Sequence, residues 1–151
     1  MVASVVGSFS APEAFPGKSG VLYFLQEDHY ATAPMVKTQG VLSKATWRAA
    51  RNLGLSGAAL ARIIGLSEAT VSRLGRGEWD VSPTSKEGQL AALLVRLFSS
   101  LDAIVGNDPT KVIAWMACPN RALNGIPREL IETPQGLVQT LQYVDAMRAT
   151  S

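Results

Sequence analysis

Short hydroxyl-bearing and basic side chains gather in one segment of the chain, SEATVSRLGR, which covers residues 67–76. Arginine can donate two parallel hydrogen bonds to a guanine edge or to a phosphate, and small hydroxyl or methyl groups suit phosphate oxygens and thymine methyls. This chemistry predicts contact with DNA. We expect base-edge contacts from Ala69, Thr70 and Arg73. Backbone contacts are expected from Ser67, Ser72, Arg76, Lys44 and Arg48. Glu68 has two interpretations, as a charge favourable at a helix N-terminus or as a reader of cytosine.

The surrounding residues 55–77 predict two short helices joined by a tight turn. Ser56 and Ser67 are placed to cap the two helices, and Gly65 suits a turn that needs a positive φ angle. The apolar positions that would form their shared core are Leu60, Ile64, Leu66, Val71 and Leu74. This pattern predicts a helix-turn-helix, which places its second helix in the DNA major groove. Similar helical hairpins also occur in proteins that do not touch DNA.

Caps and apolar spacing predict helices on both sides of this unit. Ser43 is expected to cap a helix over about 43–53. Thr84, with Glu87 at capping-box spacing, is expected to open a long helix whose apolar stripe runs from Leu90 to Val105. Two more helices are expected to begin at Asp108-Pro109 and Thr133-Pro134. The core face predicted for the last helix consists of Leu137, Val138, Leu141, Val144 and Met147.

The predicted fold class is all-α, with an N-terminal arm preceding the helices. Glycines and prolines without a sustained period make residues 1–40 an expected irregular arm, in which the apolar stretch VLYFL (residues 21–25) is expected to dock on the core or on a second subunit. Residues 41–83 are expected to form the helix-turn-helix domain. Residues 84–151 are expected to form a long connecting helix and a small helical domain.

Composition narrows the possible classes of protein. Residues 41–80 carry six basic and three acidic residues, so the net charge of +2 is concentrated on the helix-turn-helix segment. One cysteine and one histidine leave no soft metal-ligand cluster. No phosphate loop and no paired nucleophile are visible, so we expect no enzyme, cofactor or metal. No apolar run reaches the ~20 residues of a membrane span, and the cytoplasm is the expected location.

The last third of the chain carries a second, more specific pattern. Residues 115–148 read WMACPNRALNGIPRELIETPQGLVQTLQYVDAMR, with Pro-Asn-x-x-Leu-x-Gly, Pro-x-x-Leu-Ile and Thr-x-x-Gly motifs in order. The motif positions are Trp115, Pro119, Asn120, Leu123, Gly125, Pro127, Leu130, Ile131, Thr133, Gly136, Val138 and Leu141. This segment resembles the toxin-binding domain of Xre/MbcA/ParS-type antitoxins, and the helix-turn-helix resembles the Xre class of regulators. In the turn, we expect Asn120 to satisfy backbone groups and Gly125 to permit the chain reversal.

The resemblance implies a protein with two partners. Antitoxins of this kind bind and inhibit a RES-domain toxin, an enzyme that degrades NAD, and repress their own operon by binding operator DNA. The toxin-binding candidates carried over by position are Asn120, Arg121, Asn124, Arg128, Tyr143, Arg148, Ala149, Thr150 and Ser151. Operator binding favours a homodimer, here within a larger toxin-antitoxin complex. The alternative is a transcriptional repressor whose C-terminal region only dimerises or binds a ligand.

Overall fold

Helices make up about two-thirds of the part of the chain that the computed structural model describes, residues 40–151. The helices are α1 (residues 40–52), α2 (Gly57–Ile64), α3 (Glu68–Gly75), α4 (Lys86–Ile104), α5 (Pro109–Ala117), α6 (Pro127–Leu130) and α7 (Pro134–Ala149). Within this range there is no strand, only an isolated antiparallel bridge between Asn120 and Gly125. The all-α prediction is confirmed. The predictions for the N-terminal arm and for VLYFL lie outside the described residues, except that residue 40 already belongs to α1.

Four predicted helix starts are confirmed by side-chain caps. The hydroxyls of Ser56, Ser67 and Thr133 each accept a hydrogen bond of 3.1 Å from the backbone N–H three residues ahead. The Asp108 carboxylate accepts from the N–H of Thr110 at 3.0 Å. Each cap satisfies an N–H group that the first helical turn leaves without a partner. Local sequence is therefore sufficient to place these helix starts.

Two other predicted caps are wrong. Ser43 lies inside α1, where its buried hydroxyl accepts a hydrogen bond of 2.9 Å from the Val81 N–H. The cap of α4 is Ser85 and not Thr84, because the Ser85 hydroxyl accepts from the Gly88 N–H at 3.0 Å. At Ser43 a contact with a distant segment decides the role of the hydroxyl, whereas α4 simply begins one residue later than predicted.

α4 is the central helix of the described part. It packs along α7 and also contacts α2 and α5, so one cluster of buried side chains extends from α1 to α7. The largest fully buried members are Leu53, Leu60, Ile63, Ile64, Leu94, Leu97, Leu101, Met116, Ile131 and Leu137. No single helix in residues 40–151 is long and apolar enough to cross a membrane; α4 and α5 pass that test only as a pair bent by 115°.

The contact between α4 and α7 corrects one detail of the predicted core. Val138 is 38% exposed, whereas Thr140 is fully buried. The buried residues Leu137, Leu141 and Val144 lie on one face of α7, and Thr140 lies on the same face. Val138 follows Leu137 directly, so its side chain is rotated by about 100° away from α4. Apolar character alone therefore assigned Val138 to the wrong side of the helix.

Candidate functional site

α2 and α3 form the predicted helical pair, joined by the short turn at residues 65–67. Gly65 has φ +79°, the left-handed conformation expected at this position. Ala61 is buried, and Val71 and Leu74 of α3 are buried as well. The opposite side of α3 is open to solvent. The short helix α3 is thus held by its apolar face and presents its polar face outward.

The outer face of α3 carries the predicted base-reading residues. Ala69 and Arg73 are exposed, whereas Thr70 is half-buried. The hydroxyls of Thr70 and Ser67 are hydrogen-bonded at 2.8 Å, and a guanidinium nitrogen of Arg73 donates to the Thr70 hydroxyl at 3.4 Å. Ser67 also caps the helix. Among the expected readers, Ala69 and Arg73 are therefore the most accessible.

The end of α3 contains an ion pair that the sequence reading did not anticipate. Arg76 donates to the Ser72 hydroxyl at 2.6 Å and to the Glu78 carboxylate at 3.1 Å. The hydrogen bond from Arg76 lowers the pKa of Glu78, and the same bond raises the pKa of Arg76. Ser72 and Arg76, both predicted to contact the DNA backbone, are thus engaged with each other. Binding a phosphate would require Arg76 to share or leave Glu78.

The two α1 residues predicted to contact DNA, Lys44 and Arg48, line a cleft beside the end of α3. The cleft has a volume of about 550 Å³, and its lining also includes Arg51, Asn52 and Arg76. Sequence reasoning did not select Arg51 or Asn52. The spacing of Arg51 could have indicated its place in the cleft. It lies seven residues after Lys44, so the two residues share one face of the helix.

A compact turn holds the first group of predicted toxin-binding residues. Asn120 and Gly125 exchange two backbone hydrogen bonds, of 2.8 and 3.2 Å, and the Asn120 side-chain oxygen accepts from the Leu123 N–H at 3.1 Å. Asn120 therefore satisfies backbone groups in the turn, as expected. The left-handed residue is Asn124, with φ +58°, and not Gly125. Gly125 instead makes room for the Leu130 side chain, which a Cβ atom would approach to 2.9 Å.

The other predicted toxin-binding residues divide between this turn and the end of α7. Arg121, Asn124 and Arg128 are exposed, and Tyr143 lines a cleft of about 360 Å³ between the turn and α7. The second group is exposed at the C-terminal end of α7 and consists of Arg148, Ala149, Thr150 and Ser151. The hydroxyls of Thr150 and Ser151 each donate to the Met147 carbonyl at 3.0 Å. The last residues thus continue the final helical turn.

An ion pair connects the helix-turn-helix with the C-terminal region. Two guanidinium nitrogens of Arg62, on α2, donate to the two carboxylate oxygens of Glu132 at 3.0 and 2.8 Å. This bidentate hydrogen bonding lowers the pKa of Glu132. The sequence separation of 70 residues explains why no local pattern indicated the pair. Within residues 40–151 there is no group of three or more histidine, cysteine or acidic side chains that could hold a metal ion.

Comparison with known protein families assigns the two regions separately. The model of the antitoxin Xre-like helix-turn-helix domain matches residues 38–96. The model of the antitoxin Xre/MbcA/ParS C-terminal toxin-binding domain matches residues 100–149. No curated protein matches the chain. The ordered α2–α3 pair, the 120–125 turn and these two adjoining matches together show that the chain belongs to the Xre/MbcA/ParS-type antitoxin family.

Proposed function

We propose that this antitoxin inhibits a RES-domain toxin that degrades NAD and represses its own operon through the α2–α3 unit. It acts in the cytoplasm, as a homodimer within a larger toxin-antitoxin complex. Residues 41–83 form its DNA-binding part and residues 84–151 its toxin-binding part. It catalyses no reaction itself.

The observation that carries the proposal is that exposed candidate binding residues occur on two surfaces, one in each family match. Ala69 and Arg73 lie on the outer face of α3, whereas Arg121 and Arg148 belong to the C-terminal match. A protein with two such surfaces can bind DNA and a toxin with different residues. Each activity can therefore be removed without the other, which defines the experiments.

Operator binding is tested at Arg73. Arg73→Ala should weaken binding to the DNA upstream of the gene by roughly 5-fold to 150-fold for each protomer of the homodimer, since one bidentate base contact contributes about 1–3 kcal/mol of discrimination. Arg73→Lys is the matched variant, because it keeps the charge and loses the planar fork. If Arg73→Lys restores full preference for the upstream DNA over a random duplex, Arg73 contacts only phosphate.

Toxin inhibition is tested by co-expression with the RES-domain toxin encoded beside this gene, with cellular NAD and growth as readouts. Deleting residues 148–151 and replacing exposed Arg121 by Glu should each reduce rescue, while binding to upstream DNA stays at the wild-type level. Arg73→Ala should rescue fully. If purified protein forms no complex with the toxin but still binds upstream DNA, the alternative repressor without a toxin partner is correct.

A further inference from the structure

A cationic cleft lies between α1 and the end of α3, next to the outer face of α3. We define the cationic cleft by Lys44, Arg48, Arg51 and Arg76, which line its volume of about 550 Å³. Its lining contains four cations and no carboxylate. The three α1 cations follow one another at spacings of four and three residues, so they lie on one face of the helix.

Arg76 pairs with Glu78, but the other three charges of this cleft are not compensated within the described residues. Lys44, Arg48 and Arg51 are exposed, and none of them forms an ion pair with a carboxylate in residues 40–151. Like charges three and four residues apart on a helix repel one another and weaken the fold. A bound anion would remove this repulsion. The arrangement is therefore unfavourable for the isolated chain and favourable for a chain bound to a polyanion.

The wall of the cleft is preformed. The Trp47 indole lies against Gly75, where a Cβ atom would approach two ring carbons to 2.7 Å. Only glycine at this position allows that contact. Trp47 also packs against the buried core, so its ring has a defined position. A preformed wall avoids the entropy cost of ordering the site when it binds.

The position of the cleft favours nucleic-acid phosphate as its anion. Gly75 is the last residue of α3, and Arg76, the next residue, belongs to both the cleft and the end of that helix. A duplex that receives α3 in its major groove has phosphates along both sides of that groove. The cleft thus adjoins the C-terminal end of α3 through Gly75 and Arg76, and in the proposed complex a DNA strand flanking the groove would pass beside it.

We propose that the cationic cleft holds the DNA backbone beside the groove that receives α3, with Arg51 as a phosphate contact in addition to Lys44 and Arg48. This inference rests on the proposed operator binding and specifies how its affinity arises. The cleft contributes affinity that is independent of sequence, and Arg73 contributes discrimination. The two contributions are separable by their dependence on salt.

The test measures the dissociation constants of full-length wild type, Arg51→Gln and the triple variant Lys44→Gln, Arg48→Gln, Arg51→Gln between about 50 and 200 mM salt. Two duplexes of equal length serve as probes, the DNA upstream of the gene and a random sequence. Each lost phosphate contact should reduce the salt slope by about 0.9, and each substitution removes two contacts from the proposed homodimer, so the triple variant should lose about 5.4. The preference between the two duplexes should not change. Lys111→Gln, an exposed α5 cation outside the lining of the cleft, is the charge-matched control for Arg51→Gln.

Circular dichroism verifies folding, and the triple variant should melt at a higher temperature than wild type at low salt because repulsion is relieved. If the triple variant keeps the wild-type salt slope while Arg73→Ala loses preference for the upstream DNA, the cleft assignment is wrong and operator binding stands. If inorganic phosphate stabilises wild type but the slopes do not change, the cleft is a small-anion site instead. If wild type shows no preference for the upstream DNA, the operator proposal itself fails.

Discussion

Gly136, in the first turn of α7, provides the sharpest test of how the C-terminal region is built. A Cβ atom at this position would lie 2.7 Å from the Leu130 carbonyl carbon and still closer to the carbonyl oxygen, whereas ordinary contact begins at 3.4 Å. The backbone of the α6–α7 connection would therefore have to move by at least about 0.7 Å. That same carbonyl accepts hydrogen bonds from the N–H and hydroxyl of Thr133, the cap of α7. Gly136→Ala should thus displace both the connection and the cap.

The expected magnitude follows from two opposing effects. Overpacking against a backbone group lowers the stability of the folded state by about 3 kcal/mol, the upper end of the usual range. Replacing glycine by alanine in a helix raises that stability by about 1 kcal/mol. Gly136→Ala should therefore lower the free energy of unfolding by about 2 kcal/mol, or the melting temperature by roughly 8 °C.

Gly57→Ala is the matched control, because it lies in the first turn of α2 and its Cβ would meet only a Val71 methyl at 4.0 Å. It should raise stability by about 0.5 kcal/mol. Urea unfolding followed by circular dichroism measures both variants. If Gly136→Ala is as stable as wild type, or if Gly57→Ala loses as much stability as Gly136→Ala, the close-approach argument is refuted.

Three further predictions concern polar groups between helices. Asp145→Ala should lower the free energy of unfolding in urea by about 1–2 kcal/mol, because it leaves the buried Ser100 hydroxyl without its 2.7 Å partner. Arg96→Ala, which removes an ion pair with Asp145 from a side chain that is 62% exposed, is the control. If Asp145→Ala costs no more than Arg96→Ala, the prediction is wrong. Thr140→Val should raise the melting temperature, since the buried Thr140 hydroxyl has no partner in residues 40–151; a fall would show that a hydrogen bond had been removed. The pKa of Glu132 is lowered on folding, so its ion pair with Arg62 stabilises the folded state above the unfolded-state pKa, and this stabilisation is lost as the pH falls. Arg62→Gln should therefore lower the free energy of unfolding at about pH 7 and change it little at about pH 3. An equal loss at both pH values would refute the coupling.

Local patterns were sufficient where the physical interaction is itself local. The caps at Ser56, Ser67, Asp108 and Thr133 join groups two or three residues apart, so residue type and spacing contain the information. The antitoxin motifs behave similarly, because the turn that begins at Asn120 closes on itself within six residues.

The same patterns failed where packing beyond the local motif decides the role of a residue. Ser43 looked like a cap, but a backbone N–H 38 residues away uses its hydroxyl. Gly125 was expected to reverse the chain, yet Asn124 adopts the left-handed φ because the close neighbour of Gly125 is the Leu130 side chain. The Val81 N–H is outside any short window of sequence, and the contact of Leu130 with Gly125 depends on how α6 folds back on the turn.

The amino-acid sequence by itself determined the all-α class, most helix starts, the exposed basic character of α3 and the family of the chain. Only the tertiary structure decided which polar groups face one another: Arg62 with Glu132, Arg76 with Glu78, and the α1 cations with the end of α3. The physical reason is that helix propensity and capping act over a few residues, whereas charge and shape complementarity depend on which helix faces are packed together.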